Sequence, residues 1–216
     1  MAVSKFHAAE ALCGEVFSAG AFAGTEWEGC TFSGCRFEGT DLSGVLMADC
    51  RFEGCVFTLV PLGGAVLRNL FFSGCRFTGL CFGDCMPFGF EVDFVDSELD
   101  NCTFTRLKMK SVRFEGCRLR ECFFGDCGLS AARFPDTAMP GTVFEGCDLR
   151  KADFRSATDW TLDPRTNLVS GARFADGNLA GLLHGFDIVI ECLSCRTCRS
   201  AVKSPDRSAG SPERRR

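Results

Sequence analysis

Large apolar residues occupy every fifth position along most of the chain. The first series runs Leu12, Phe17, Phe22, Trp27, Phe32, Phe37, Leu42, Met47, Phe52, Phe57, Leu62, Leu67, Phe72, Phe77 and Phe82. A second series, in a different phase, runs Phe94, Leu99, Phe104, Met109, Phe114, Leu119, Phe124, Leu129, Phe134, Met139, Phe144, Leu149 and Phe154, and resumes at Phe174 and Leu179. A period of five fits neither an α-helix nor an ordinary strand. It fits a chain that turns by about 90° every pentad, so that four pentads close one square coil. Like residues then stack: Phe32, Phe52 and Phe72 form one column, and Phe94, Phe114, Phe134, Phe154 and Phe174 another. The pattern predicts an all-β solenoid of about eight coils.

A small residue stands two positions before each large one. It is Cys30, Cys35, Thr40, Cys50, Cys55, Ala65, Cys75 and Cys85 in the first series; Ser97, Cys102, Cys117, Cys122, Cys127, Ala132, Thr137, Thr142, Cys147, Ala152 and Ala157 follow in the second. Residues two apart on an extended segment share a side, so both point inward. Eleven of the 16 cysteines sit in this slot, where Ala, Thr, Ser and Val also occur. A disulfide or metal role would not tolerate that exchange. The cysteines, Cys30 and Cys35 among them, are therefore expected to be free thiols acting as small buried hydrophobes. Glycines such as Gly34, Gly39, Gly54 and Gly116 fall two after the large residue, where each corner turns.

At this point the chain resembles the pentapeptide-repeat proteins, whose repeat has a large central residue; here Phe and Cys stand where many members have Leu and Ala. The resemblance covers roughly residues 12 to 191. It implies a right-handed quadrilateral β-helix, usually a dimer joined at its C-terminal end. Bacterial members of the family include microcin-immunity and quinolone-resistance proteins that act on DNA gyrase as DNA-like rods, so the resemblance also implies DNA gyrase as a candidate partner.

The pentads divide the chain into a lead-in (1–11), a first repeat block (12–85), a phase-shifting bulge (86–91), a second block (92–177), a capping helix and strand (178–191) and a basic tail (192–216). In the bulge, Met86, Phe88 and Phe90 read either as aromatics tucked over a corner or as an apolar contact for a partner. The segment 159–164 breaks the pentads with a Pro-containing turn. Residues 178–186 read as a short amphipathic helix and 187–191 as a strand. Leu179, Leu182, Leu183 and Phe186 are there to cover the last coil or to form the dimer contact.

Composition narrows the chemistry. There are 23 Phe and no Tyr, as in a core that offers no partner for a hydroxyl. With only His7 and His184, histidine-based catalysis or metal binding is improbable, and Cys192, Cys195 and Cys198 lack an evident fourth ligand. No phosphate-binding glycine loop is present, and Glu28, Glu38, Glu53, Glu115 and Glu145 read as solvated faces. The expectation is no enzyme, no cofactor, no metal and no membrane span, in a reducing cytoplasm. The chain carries −4 overall, but residues 1–191 hold 26 acids against 17 bases, or −9. An acidic rod would repel nucleic acid and attract proteins that bind it, although Lys108, Lys110, Arg113, Arg118 and Arg120 put a basic patch in its middle. Two readings stay open: a protein-interaction scaffold, and a gyrase-interacting protein that protects against a drug or toxin.

Overall fold

The computed structural model describes residues 5–183 together with Phe186 and Ile188. Most pentads lay down a strand of about three residues and then turn, and each strand pairs in parallel with the one a coil below. The first face carries Lys5–Ala8, Thr25–Glu28, Leu46–Ala48 and Val66–Arg68. The second carries Ala11–Cys13, Thr31–Ser33, Arg51–Glu53, Leu70–Ser73, Val92–Val95 and Phe114–Glu115. The third holds Arg36–Glu38, Val56–Thr58, Arg76–Thr78, Glu98–Asp100 and Arg118–Arg120. The fourth holds Thr103–Thr105, Phe123–Gly125 and Val143–Glu145. Single bridges continue the faces upward, from Lys108 to Gly128, Arg133 to Asp153 and Ala138 to Thr158. The chain is a parallel-sheet solenoid of about seven turns. The pentad count of about eight includes partial coils; the first, for example, gives the third face only the bridge from Val16 to Arg36.

The interior is filled by columns of rings. On the second face Phe32 stacks on Phe52 at 4.7 Å, and Phe94 on Phe114 at 5.1 Å, with rings nearly parallel. Rings on adjacent faces meet edge-on, as Phe104 does Phe114 at 87°. Stacked within a column and edge-on between columns, the rings satisfy the aromatic quadrupole in both directions. A tyrosine hydroxyl in these columns would point into other rings, which accounts for a core built on Phe.

Corners lie in the left-handed region, from Gly34 at φ 62° to Asp126 at φ 52°. The sequence marks them by glycine, yet Leu59, Asn101, Arg106 and Lys151 adopt the same conformation. Their backbone is held by the ladder, as where Arg106 N–H donates to Gly125 O at 2.9 Å.

The seam between the blocks is a local insertion on the first face. Phe52 faces Phe72 at an interval of 20 residues, whereas Phe72 faces Phe94 across 22. The columns run through it unbroken: Phe82 stacks on Phe104 at 4.6 Å.

Both ends depart from the sequence reading. The lead-in is not outside the coil, since Lys5–Ala8 pairs with Thr25–Glu28. His7 stands five before Leu12, in the central position, and its ring stacks on Trp27 at 3.9 Å. A polar ring there hid the first pentad from an apolar count. At the other end the helix is a 3₁₀ turn over Asp176–Leu182, starting earlier than 178. Asn178 anchors it by donating to Phe154 O and Ala157 O, both at 3.1 Å. Gly181 lies against the Trp160 carbonyl, where a side chain would collide. The strand expected at 187–191 and the basic tail lie outside the described residues.

Candidate interaction surface

The inward slot does more than fill space. Asn167 shows its chemistry most plainly: its Oδ1 accepts Cys147 N–H at 2.9 Å, and its Nδ2 donates to Phe144 O at 2.9 Å. Thr137 repeats both bonds, with Cys117 N–H at 3.4 Å and Phe114 O at 2.8 Å. Cysteines make the donor half, Cys55 to Phe32 O and Cys122 to Leu99 O, each at 3.3 Å. Several corners close on themselves instead: Ala132 N–H donates to Leu129 O, and Val45 N–H to Leu42 O. A polar slot residue thus serves the corner one coil below it, as Thr142 does by donating to Leu119 O at 2.9 Å although its own N–H closes on Met139 O. The reading of these cysteines as plain small hydrophobes is corrected accordingly.

All eleven slot cysteines are buried free thiols, Cys30 and Cys35 included. Burial pushes Cys50 up to about 11, and Cys85 and Cys117 up to about 12. Cys75 is raised by its contact with the Cys55 sulfur and then by burial. Thiols raised in this way stay protonated, whereas Cys55, Cys102 and Cys127 are lowered, each first by a hydrogen bond with the cysteine sulfur one coil above. Among the described residues no group of three or more His, Cys, Asp or Glu could hold a metal ion. His7 pairs with Glu10 at 2.9 Å, its ring stacked beneath Trp27 in the first coil. His184 and Cys192, Cys195 and Cys198 lie outside the described residues.

The outer surface carries the remaining candidates. In the bulge Met86 is 47% exposed and Phe88 87% exposed. Phe90 is a correction to the sequence reading: it is buried, edge-on to Phe82 at 6.2 Å, because it takes the inward place left by the inserted residues. Beside it lies a cleft of about 260 Å³ bounded by Leu70, Phe90, Glu91, Lys108 and Lys110. At the C-terminal end Leu179, Leu183 and Phe186 are exposed, while Leu182 packs against the core. Arg165 lies over the Phe186 ring at 4.9 Å.

The basic patch of the sequence comes apart in space. Arg113 on the second face pairs with Glu115 at 3.0 Å, and Arg120 on the third with Asp100 at 2.8 Å. Arg118 shares the third face, while Lys108 and Lys110 lie on the first. Many acids are likewise neutralised across their own rung, as in Asp148 with Arg150 and Asp153 with Arg155.

With the coils and their inward slots in view, the sequence comparisons can be placed. Family models described as pentapeptide repeats match residues 16–56 and 127–158. These two stretches are pentapeptide repeats. The seam and its flanking coils lie between the two matched stretches of this repeat protein. No curated protein matches the sequence. Among solved structures, a trypsin-treated variant of QnrB1, a plasmid-mediated fluoroquinolone resistance protein, is 19% identical, with a TM-score of 0.44 over 86% of this chain and 100% of that one. HetL, a pentapeptide-repeat protein involved in heterocyst differentiation regulation in the cyanobacterium Nostoc sp. strain PCC 7120, is 13% identical, with a TM-score of 0.40 over 80% of this chain and 86% of that one. No helix among the described residues is long and apolar enough to cross a membrane.

Proposed function

We propose that this protein is a non-enzymatic interaction scaffold that binds a protein partner through its outer faces. The observation that carries this reading is Phe88, a large aromatic 87% exposed on a loop that the solenoid otherwise has no need to project. Rigid scaffolds that hold an aromatic out on a loop present a ready anchor for recognition. The filled interior supports the same reading, since it leaves chemistry and contact to the outside. The C-terminal residues Leu179, Leu183 and Phe186 offer a second apolar surface, suited to pairing with another copy. The test is capture of cytoplasmic proteins on the full chain and on Phe88→Ala; a specific partner retained by the first and lost from the second is expected. Identical capture by both removes Phe88 from the reading.

A second reading, protection of DNA gyrase by a DNA-like rod, is supported by the −9 carried by residues 1–191. It is weakened by the rung-by-rung pairing of acids with arginines. A supercoiling assay with purified gyrase, with and without a quinolone, separates the two; no change at micromolar protein eliminates the second.

A further inference from the structure

Three pairs of slot cysteines stand one above the other on successive coils: Cys55 and Cys75, Cys102 and Cys122, Cys127 and Cys147. The coils are closely spaced there, as Phe57 stacks on Phe77 at 4.8 Å and Phe104 on Phe124 at 4.7 Å. In each pair the upper sulfur reaches down towards the coil of the lower one. Cys75 Sγ lies 3.4 Å from Phe52 O, and Cys122 and Cys147 Sγ lie 3.3 Å from Leu99 O and Phe124 O. The two sulfurs of each pair also touch through a hydrogen bond. Cys30 and Cys50 stack as well, but with the upper sulfur at 3.6 Å from Trp27 O. Packing alone does not call for thiols in these places. Alanine fills the same slot, fully buried, at Ala132 and Ala152, and Thr142 makes the downward bond at 2.9 Å. Neither residue can bond covalently to its own kind one coil away.

We propose that these three pairs are sites of reversible oxidation, at which a small hydroperoxide joins successive coils by disulfides. Adjacent coils ~4.8 Å apart fall within the ~4.4–6.8 Å that separates the Cα atoms of a disulfide, so the backbone need not move. The lower thiol ionises and its thiolate takes one peroxide oxygen as a sulfenic acid; the other oxygen leaves as hydroxide and collects the released proton. The upper sulfur then attacks the sulfenic sulfur and displaces hydroxide, which leaves as water with the upper thiol's proton. Two thiols and one hydrogen peroxide thus become one disulfide and two waters, the sulfurs losing the two electrons that the peroxide gains. The sulfur above hydrogen-bonds to Cys55, Cys102 and Cys127 and favours their thiolates, which makes them the attacking members. Cys35 touches Cys55 from below, so Cys55 closes with one neighbour or the other. No pair spans the seam: Cys75 meets Ser97 in the next coil, whose Oγ accepts Cys75 N–H at 3.1 Å. One latch lies in the first block and two in the second. The inference goes beyond the scaffold reading and depends on no partner, since every sulfur involved is buried.

Peptide mapping tests it. The folded full chain is treated with hydrogen peroxide, alkylated in urea, and digested with trypsin and with chymotrypsin. Linked peptides joining Cys55 to Cys75 or Cys35, Cys102 to Cys122, and Cys127 to Cys147 are expected, all released by dithiothreitol. Cys85 and Cys117, with no cysteine above or below them in their columns, should be alkylated throughout. The oxidised chain should unfold at a urea midpoint at least about 1 M above the reduced chain. Cys122→Ala should return Cys102 to alkylation and leave the other two bonds in place, and circular dichroism verifies its fold. Paired thiols that all stay free, or that end as sulfinic acids without a bond, overturn the proposal. So do bonds that form only in urea or that join cysteines of different columns. An oxidised chain no harder to unfold overturns it as a latch.

Discussion

Before the seam, ten of the described corners with positive φ are glycine, and only Ala9, Asp49, Leu59 and Asn69 are not; after it, four are glycine and ten carry side chains. The coil is the same in both blocks, so glycine is not what makes the corner. In the first block Gly34 and Gly54 have nothing within 4 Å of where a Cβ would stand. They are glycine because a left-handed backbone costs other residues about 1 kcal/mol. In the second block Gly116, Gly141, Gly146 and Gly171 each lie above a corner that bears a side chain: Asp96, Glu121, Asp126 and Lys151. There the glycine also makes room for its neighbour. One residue type thus answers two needs, conformation alone at most first-block corners and conformation plus stacking space over side-chain-bearing corners, most of them in the second block but including Gly79 over Leu59.

The largest expected effect tests whether the two regions are one body. Phe94 is fully buried at the seam, with Phe72 at 5.3 Å below and Phe114 at 5.1 Å above. Phe94→Ala should cost about 3–5 kcal/mol in urea unfolding, with one cooperative transition for the whole solenoid. A loss below about 1 kcal/mol, or two separate transitions in the parent protein, would mean that the blocks fold apart.

The next effect down concerns the slots. Thr137→Ala orphans Cys117 N–H and Phe114 O in the interior, and about 1–3 kcal/mol should be lost. Ala152→Ser, above a corner already closed by the bond from Ala132 N–H to Leu129 O, should recover nothing and cost up to about 1 kcal/mol. Equal losses from the two would show that slot volume, not hydrogen bonding, decides the residue.

These contrasts bear on what could be read beforehand. The coil was legible because a five-residue period has few other physical meanings, and each central Phe points inward by the pleat alone. The slot chemistry was half visible. Ser97, Cys117 and Thr137 stack in one column and Ala132 and Ala152 in another, so the split between donors and non-donors was present but read as mere smallness. Phe90 misled because an insertion resets which residue faces in, and the count of residues does not say where the extra two leave the ladder. The basic run from Lys108 to Arg120 misled for a related reason, since a chain that turns every pentad sends neighbours in sequence to different faces.

Corner substitutions come next in size and address the comparison directly. Gly34→Ala should cost about 1 kcal/mol, the conformational share alone. Gly146→Ala should cost more, about 1–2 kcal/mol, because its methyl group meets the Asp126 carboxylate. Adding Asp126→Gly should return the excess, so the double-mutant cycle shows coupling of at least about 0.5 kcal/mol. Additive changes would remove the stacking explanation for the second block's glycines. Leu59→Gly tests the exception in the first block and should raise stability by up to about 1 kcal/mol.

The smallest effect belongs to the charged rungs. Asp148 and Asp153 are held below the usual carboxylate range by hydrogen bonds from the Arg150 and Arg155 guanidinium groups beside them. No rung before the seam carries the Asp-x-Arg order across its two outward positions. A depressed folded-state pKa contributes stability above the unfolded value near 3.9 and loses it as pH falls through the folded value. These pairs are largely solvated, so each contributes no more than about 0–1 kcal/mol. Replacing Arg150 and Arg155 by Gln should therefore lower the urea midpoint slightly at pH 7, and the gap to the parent should narrow as pH falls below the unfolded carboxylate value and through the depressed folded ones. A gap that persists undiminished at the acid end would show that the arginines act through packing of their stems along the face rather than through their charge.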